Sequence, residues 1–460
     1  MAEEATKARR HAAPQASAEA TPSAPAGRRL SLAGLLPLIT LLAFSLLYHL
    51  YINMFDSDFL VYREISLRRG VVEFSILHYQ QWSSRTAIEA VLLLVCRYPQ
   101  TFLPLDLAIL ACIYHCLQEL FNRRRDLRLS WVIALLLCCY NMHDFDNAGI
   151  VATAINYSWP LAGVLYITLT QVRLFRGETV KWWQMVLAVI ALLFGANAEL
   201  LGIVCLVTGV VWLILAKLDQ RPITLSVIQI AVSLFWIGWM AFCPGNALRT
   251  ASATAHDFPA FATFSVLEKF YLGFVSTYNR YLFTHNAYFL VLCLVLALAG
   301  WAKRLPVWQR LFTTVPLLVY LFGLYVVPVV SKYVYRIGVF FYPLDLWEGQ
   351  RGISSPLTQG AVAICIALGL ICLYKDDIHD LLFNGMIYFG GMGTRVAMGF
   401  SPTLFASGDR TFMFMDVSII MLVAYLFMRL ASRERWQQVR GYIEGFITCA
   451  ALYMMYSAIA

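Results

Sequence analysis

The chain has 460 residues, is 60% apolar and only 13% charged, and has a mean hydropathy of +0.67. A soluble domain carries about a quarter of charged residues, so this composition excludes one and makes the bilayer the main solvent. The net charge of +8 is no nucleic-acid signal, because the surplus sits in short loops between apolar runs, as the positive-inside rule expects.

In chain order, residues 1–28 are rich in Ala, Pro, Ser, Glu and Arg and predict a disordered cytoplasmic tail. Residues 29–460 predict an all-α polytopic transmembrane domain. Counting runs of roughly 20 apolar residues gives about thirteen spans. They lie at 30–52, 100–121, 129–142, 158–174, 182–196, 199–216, 223–242, 286–302, 311–330, 355–374, 381–399, 412–430 and 441–460. The first is long enough to be a retained helix. With the N-terminus in the cytoplasm, the loops carrying Arg123 to Arg125, Arg173 to Lys181, Lys303-Arg304 and Arg429 to Arg440 all fall inside. The net acidic 375–380 loop falls there too, and acids weigh little in the rule. The C-terminus then lies outside.

The outer loops are 53–99, 243–285 and 331–354. Within them 64–81 and the aromatic-rich 256–285 suit amphipathic interfacial helices. Residues 85–98 are apolar but interrupted by Glu89 and Arg97. They suit a half-helix at the outer interface, sheltered by protein. The eleven cysteines fall mostly in apolar runs, lack zinc spacing, and do not read as a disulfide framework.

The candidate chemistry sits in the outer loops. Asp56 and Asp58 follow the first span, and carboxylates so near the interface are costly unless solvated or used. One reading is a general base; the other is a solvated turn opening a helix. In Trp82-Ser83-Ser84-Arg85, Arg85 either pairs with Glu89 four residues on or grips a phosphate. His143-Asp144-Phe145-Asp146 contains metal-type ligands, a minority reading for so short a cluster. In Asn156-Tyr157-Ser158-Trp159-Pro160, a helix start accounts for Pro160 and an interface for Trp159. Neither accounts for Asn156. Glu199 sits at the outer turn of a tight hairpin, and Asn246 and Arg249 follow Pro244-Gly245.

Arg249, Arg336, Arg351 and Arg410 map outside, against the positive-inside bias. An anionic partner at the outer interface suits them as a set, with lipid headgroups the plainer reading for any one. The nucleotide, zinc-protease and nucleophile-elbow motifs GxxxxGK, GxGxxG, HExxH and GxSxG are all missing. No metal site and no cofactor are assigned, and a divalent cation stays open.

Five elements occur in order: the acidic pair, Trp82-Ser83-Ser84-Arg85, Asn156 to Pro160, Pro244 to Arg249, and Ser401-Pro402-Thr403 with Ser407 to Thr411. Together they resemble a family of bacterial multi-spanning proteins similar to the serotype-converting glucosyltransferases of O-antigen modification, of the C-type glycosyltransferase class. The resemblance implies an integral enzyme of the bacterial inner membrane. Its donor is a sugar on a polyprenyl-phosphate carrier, and its acceptor is an envelope polysaccharide or glycolipid on the outer face. Asp56 or Asp58 is then the catalytic acid, its Asp-Ser-Asp spacing departing from the adjacent acids often seen. Arg85, Arg249, Arg336 and Arg410 are candidates for the donor phosphate. Trp82, Asp144, Asn156, Tyr157, Trp159, Glu199 and Asn246 are candidates for sugar and acceptor. Partners are these substrates and membrane lipids, with no nucleic acid. The rivals are an O-antigen-type polymerase, a lipid-linked oligosaccharide flippase or transporter, and a non-catalytic envelope scaffold. A transporter calls for mid-span charges and repeats, and the sequence offers few of the first and no obvious case of the second.

Overall fold

The computed structural model describes residues 32–145 and 148–459. The tail expected over 1–28, and Asp146 of the His143 cluster, lie outside them. Among the described residues helix follows helix and there is no strand. Eight helices are long and apolar enough to cross a membrane, from Leu32–Tyr51 to Asp409–Leu430, and up to nine if one bent pair counts as a span. The chain is therefore built as a multi-pass membrane protein. The remaining expected runs are helical but short, as in Leu127–Cys138 and Trp182–Gly195, or more polar, as in Ile378–Ala397 and Glu434–Ser457.

The helices run back and forth between two ends, and the loops sort by end. At one end the basic loops meet across the bundle. Arg123 pairs with Glu178 at 2.8 Å, His379 with Asp219 at 2.9 Å, and Arg440 with Asp126 at 2.8 Å. Arg429 reaches Asp380 there. Asp377 and Asp380 of the 375–380 loop thus serve as partners for Arg429.

At the opposite end the first loop folds into three helices, Asp58–Arg68, Val71–Gln81 and Thr86–Arg97. The single helix expected over 64–81 breaks at Arg69, which turns extended (φ −127°, ψ 148°), and restarts from Gly70. The break is tied down by Arg97, whose Nε donates to the Ser66 carbonyl at 2.9 Å. Thr86–Arg97 is the short helix expected over 85–98. Its open N-terminus is closed by Asn197, whose side-chain oxygen accepts from the backbone of Ala87 and Ile88 at 3.0 and 3.1 Å. Such a bond satisfies donors a helix start leaves bare.

Val266–Leu282 meets Ala287–Ala302 at a bend of 80° and so lies across the direction of the next helix. It crosses the 396–400 turn with backbones in contact. A methyl at Gly273 would strike the Val396 carbonyl, and one at Gly399 the Lys269 carbonyl. Small residues allow helices this approach in membranes. Among the spanning helices, Ile150–Phe175 and Asp409–Leu430 are the most enclosed. The starts of both open onto the site described next.

Candidate active site

At the first-loop end lies a cavity of about 690 Å³. Its walls come from the first loop, the 148–157 turn, the Ala198–Glu199 hairpin, the 240–250 stretch and the 397–414 segment. Residues far apart in sequence thus share one space.

One wall is a closed charge network around Glu199. Arg85 donates through Nε to Glu199 at 2.6 Å and through Nη1 to Asn156 at 3.1 Å. Arg249 approaches the other Glu199 oxygen at 3.4 Å, as does the Ser84 hydroxyl at the same distance. Asn246 donates to Ser84 at 3.2 Å, while its side-chain oxygen is buried without a partner. The Arg85 guanidinium, with carboxylates on two sides, is held firmly protonated. Asn156 and Tyr157 project from a π-helical turn, Ala154–Ser158, at the head of the enclosed span. Such turns widen a helix and re-aim its side chains.

A second carboxylate, Glu89, is also occupied. It is 5% exposed, accepts from Tyr62 at 2.7 Å and lies 3.6 Å from the His78 ring. Burial pushes its pKa up, but His78, Tyr62 and Arg85 outweigh that and bring it below the ordinary value. The pairing of Arg85 with Glu89 allowed by their spacing is therefore not the one made. Arg85 caps the helix from outside it and turns to Glu199, 114 residues on.

Asp58 differs from both. It lines the cavity, and its side chain makes no hydrogen bond or ion pair with a described residue. Burial raises its pKa from the ordinary aspartate value, the Arg410 charge opposes the rise, and Glu89 adds to it. Arg410 likewise has no ion pair among the described residues, and its Nε is buried without a partner. The cavity therefore holds a free carboxylate and a free guanidinium whose fields reach each other.

Nine of the residues singled out from sequence line this space: Asp58, Trp82, Arg85, Asn156, Tyr157, Glu199, Asn246, Arg249 and Arg410. Four stand elsewhere. Asp56 lies under Gly149, where a methyl would come within 2.9 Å of its Oδ1. Asp144 is buried and taken by Arg280 at 2.8 Å and Asn141 at 2.8 Å, which leaves little of it for a metal or a sugar. Trp159 points into the bundle and donates to Asp106 at 2.8 Å. Arg336 sits exposed on the short Tyr335–Gly338 turn.

The sequence motifs contain Ser84 and Ser407 without giving them a role, and no role was read for Tyr62 or His78. Tyr62, whose phenol burial keeps firmly protonated, sits four residues after Asp58 and so shares its helix face, a signal that was available. Sequence reasoning also undercounted polar groups inside the bundle. His49 lies 3.3 Å from Asp106, and Asp416 accepts from Tyr281 at 2.6 Å. Among the described residues no group of three or more His, Cys, Asp and Glu is placed to hold a metal ion.

No family model, no curated protein and no solved structure matches the chain.

Proposed function

We propose that the protein is a membrane glycosyltransferase of the C-type class, with about thirteen spans. It moves a sugar from a polyprenyl-phosphate donor to a cell-envelope polysaccharide or glycolipid outside the cytoplasm. The observation that carries the reading is the unpaired Asp58 facing the unpaired Arg410 in one cavity. Every other carboxylate in the lining already has a protein partner.

In the proposed step an acceptor hydroxyl attacks the anomeric carbon of the donor. Its proton passes to the Asp58 carboxylate, the bond between that carbon and the phosphate oxygen breaks, and the phosphate leaves with the electron pair. Arg410 meets the charge that develops on the phosphate, where a fixed charge is worth most. Arg85 and Arg249, committed to Glu199, shape the wall, and Arg85 orients Asn156. A single free carboxylate suits one displacement with inversion. A raised pKa makes Asp58 a stronger base than an exposed aspartate, provided it is ionised.

The surroundings suit such a donor. Trp82, Ile203 and Phe400 line the cavity yet are strongly exposed, giving an apolar rim for an isoprenoid tail. The basic loops gather at the other end of the bundle, which by the positive-inside rule supports a cytoplasmic side for that end and for the N-terminus; the proposal sets both in a bacterial inner membrane. A divalent cation is not needed by this scheme.

The test is linkage analysis of envelope polysaccharide from cells with and without the chain. Loss of one sugar substituent from an otherwise intact polymer is the expected result. A shortened polymer with every sugar retained would move the reading to a polymerase, and no change in linkage or length would remove it.

A further inference from the structure

The 401–412 segment separates two spaces. Ser401, Thr403, Ser407 and Arg410 line the large cavity, whereas Phe405, Gly408 and Asp409 line a second cavity of about 360 Å³. The segment is held as a fixed strap. The Ser401 and Thr403 hydroxyls share a 2.8 Å hydrogen bond, Ser407 donates to Thr403 at 3.1 Å, and Arg280 pairs with Asp409 at 2.9 Å. At Asp409-Arg410, neighbouring residues serve opposite sides of the wall.

The second lining has a distinct character. It carries the guanidinium groups of Arg280 and Arg395 and the carboxylates of Asp345 and Asp409, so no charge is in excess. Arg395 is 2% exposed, its Nε has no partner, and its guanidinium stacks 3.7 Å from the centre of the Phe412 ring. Trp347 lines the same space, half-exposed, with its indole buttressed against Phe258 at 5.7 Å and Phe405 at 5.4 Å. An open, pre-set indole in a lining that holds both donors and acceptors fits a ligand with an apolar ring face and a rim of hydroxyls. Each hydroxyl both donates and accepts, and aromatic faces bind such surfaces without ordering a flexible chain.

We infer that this second cavity is a subsite for a neutral saccharide unit of the acceptor, the one next to the unit that receives the sugar. This rests on the proposed glycosyl transfer, and it assigns donor and acceptor to opposite sides of the 401–412 strap. Trp347 is the stacking platform. The exposed Asp409, held in place by Arg280, is the hydroxyl partner at its rim.

The test uses the full chain in lipid nanodiscs and saturation-transfer NMR. The probe is the neutral oligosaccharide fraction released by mild acid from the host envelope polysaccharide. The expected result is transfer to sugar ring protons that weakens about tenfold in Trp347→Ala, the order set by one aromatic contact. Because Trp347 also packs on Phe258 and Phe405, Trp347→Phe checks the fold and is expected to restore part of the signal. A signal unchanged in Trp347→Ala but lost in Trp82→Ala would overturn the inference by moving the saccharide to the large cavity. A native protein without any signal would overturn it too. The transfer reading fails separately, through native sugar transfer in Asp58→Asn cells, a result that leaves the binding measurement standing.

Discussion

The two ends of the helix bundle hold similar residues and differ in whether a partly buried charge is left without an ion pair. At the basic end arginines and acids close on each other: Arg123 on Glu178, Arg173 on Glu119, Arg440 on Asp126 and Glu444. At the first-loop end Arg85, Arg249 and Glu199 do the same, but Asp58 and Arg410 are left without ion pairs in the lining of a cavity of about 690 Å³. A charge paired within the protein orders loops and fixes helix ends. A charge kept partly desolvated with no partner is costly to the fold and is available to a ligand. The contrast separates scaffold from proposed chemistry more sharply than residue type does.

Substitutions that exchange these states sharpen the comparison. Asp58→Asn removes the free base and is expected to lower sugar transfer by roughly 100- to 10,000-fold, the range of a general base, with thermal stability at neutral pH kept or slightly raised. Arg410→Ala removes the free cation and is expected to lower transfer roughly 100-fold, as loss of one electrostatic stabiliser does.

The same variant moves the pH profile. Asp58 must be ionised to accept a proton, so activity falls as pH drops through its raised pKa. Arg410 opposes that rise, and Arg410→Ala shifts the acid limb to higher pH. The stability sign runs the other way. The folded carboxyl binds its proton more tightly than the unfolded one, so stability is lost as pH rises through the window. Asp58→Asn abolishes that loss, which unfolding at two pH values measures.

Glu199→Gln leaves Arg85 and Arg249 without their counter-charge. It is expected to destabilise the fold by about 3 kcal/mol, seen as reduced thermal stability even before activity is measured. Gly399→Ala pushes a methyl into the Lys269 carbonyl and is expected to cost about 1–3 kcal/mol. Arg123→Gln at the basic end breaks an exposed pair and is expected to change stability by no more than about 1 kcal/mol, with transfer unaffected. A large loss of transfer at Arg123 would erase the distinction between the ends.

Much of the architecture was legible because the bilayer enforces it. Runs such as 199–216 and 355–374 are long and apolar, and the helices Glu199–Leu218 and Ser354–Tyr374 follow them closely. The gathering of Asp58, Arg85, Asn156, Glu199, Arg249 and Arg410 was also foreseeable, since polar groups in alternate loops meet at one end of a bundle. Their pairing was not. Spacing offers Glu89 as the partner of Arg85, yet only the fold brings Glu199 within 2.6 Å and gives Glu89 to Tyr62 and His78. Trp159 looked like an interfacial anchor because Pro160 marks a helix start. A π turn before it rotates the indole inward to Asp106, and a one-residue insertion in the helical repeat leaves no compositional trace. Asp56 and Asp58 were equivalent in sequence. The helix that starts at Asp58 places one in the cavity and leaves the other under Gly149.

The most direct measurement compares Asp58→Asn with Asp56→Asn, each expressed at native level in cells lacking the chain, with polysaccharide linkages read by mass spectrometry. The account predicts that the sugar substituent disappears in Asp58→Asn and persists in Asp56→Asn. Full substitution in the Asp58→Asn cells would contradict it.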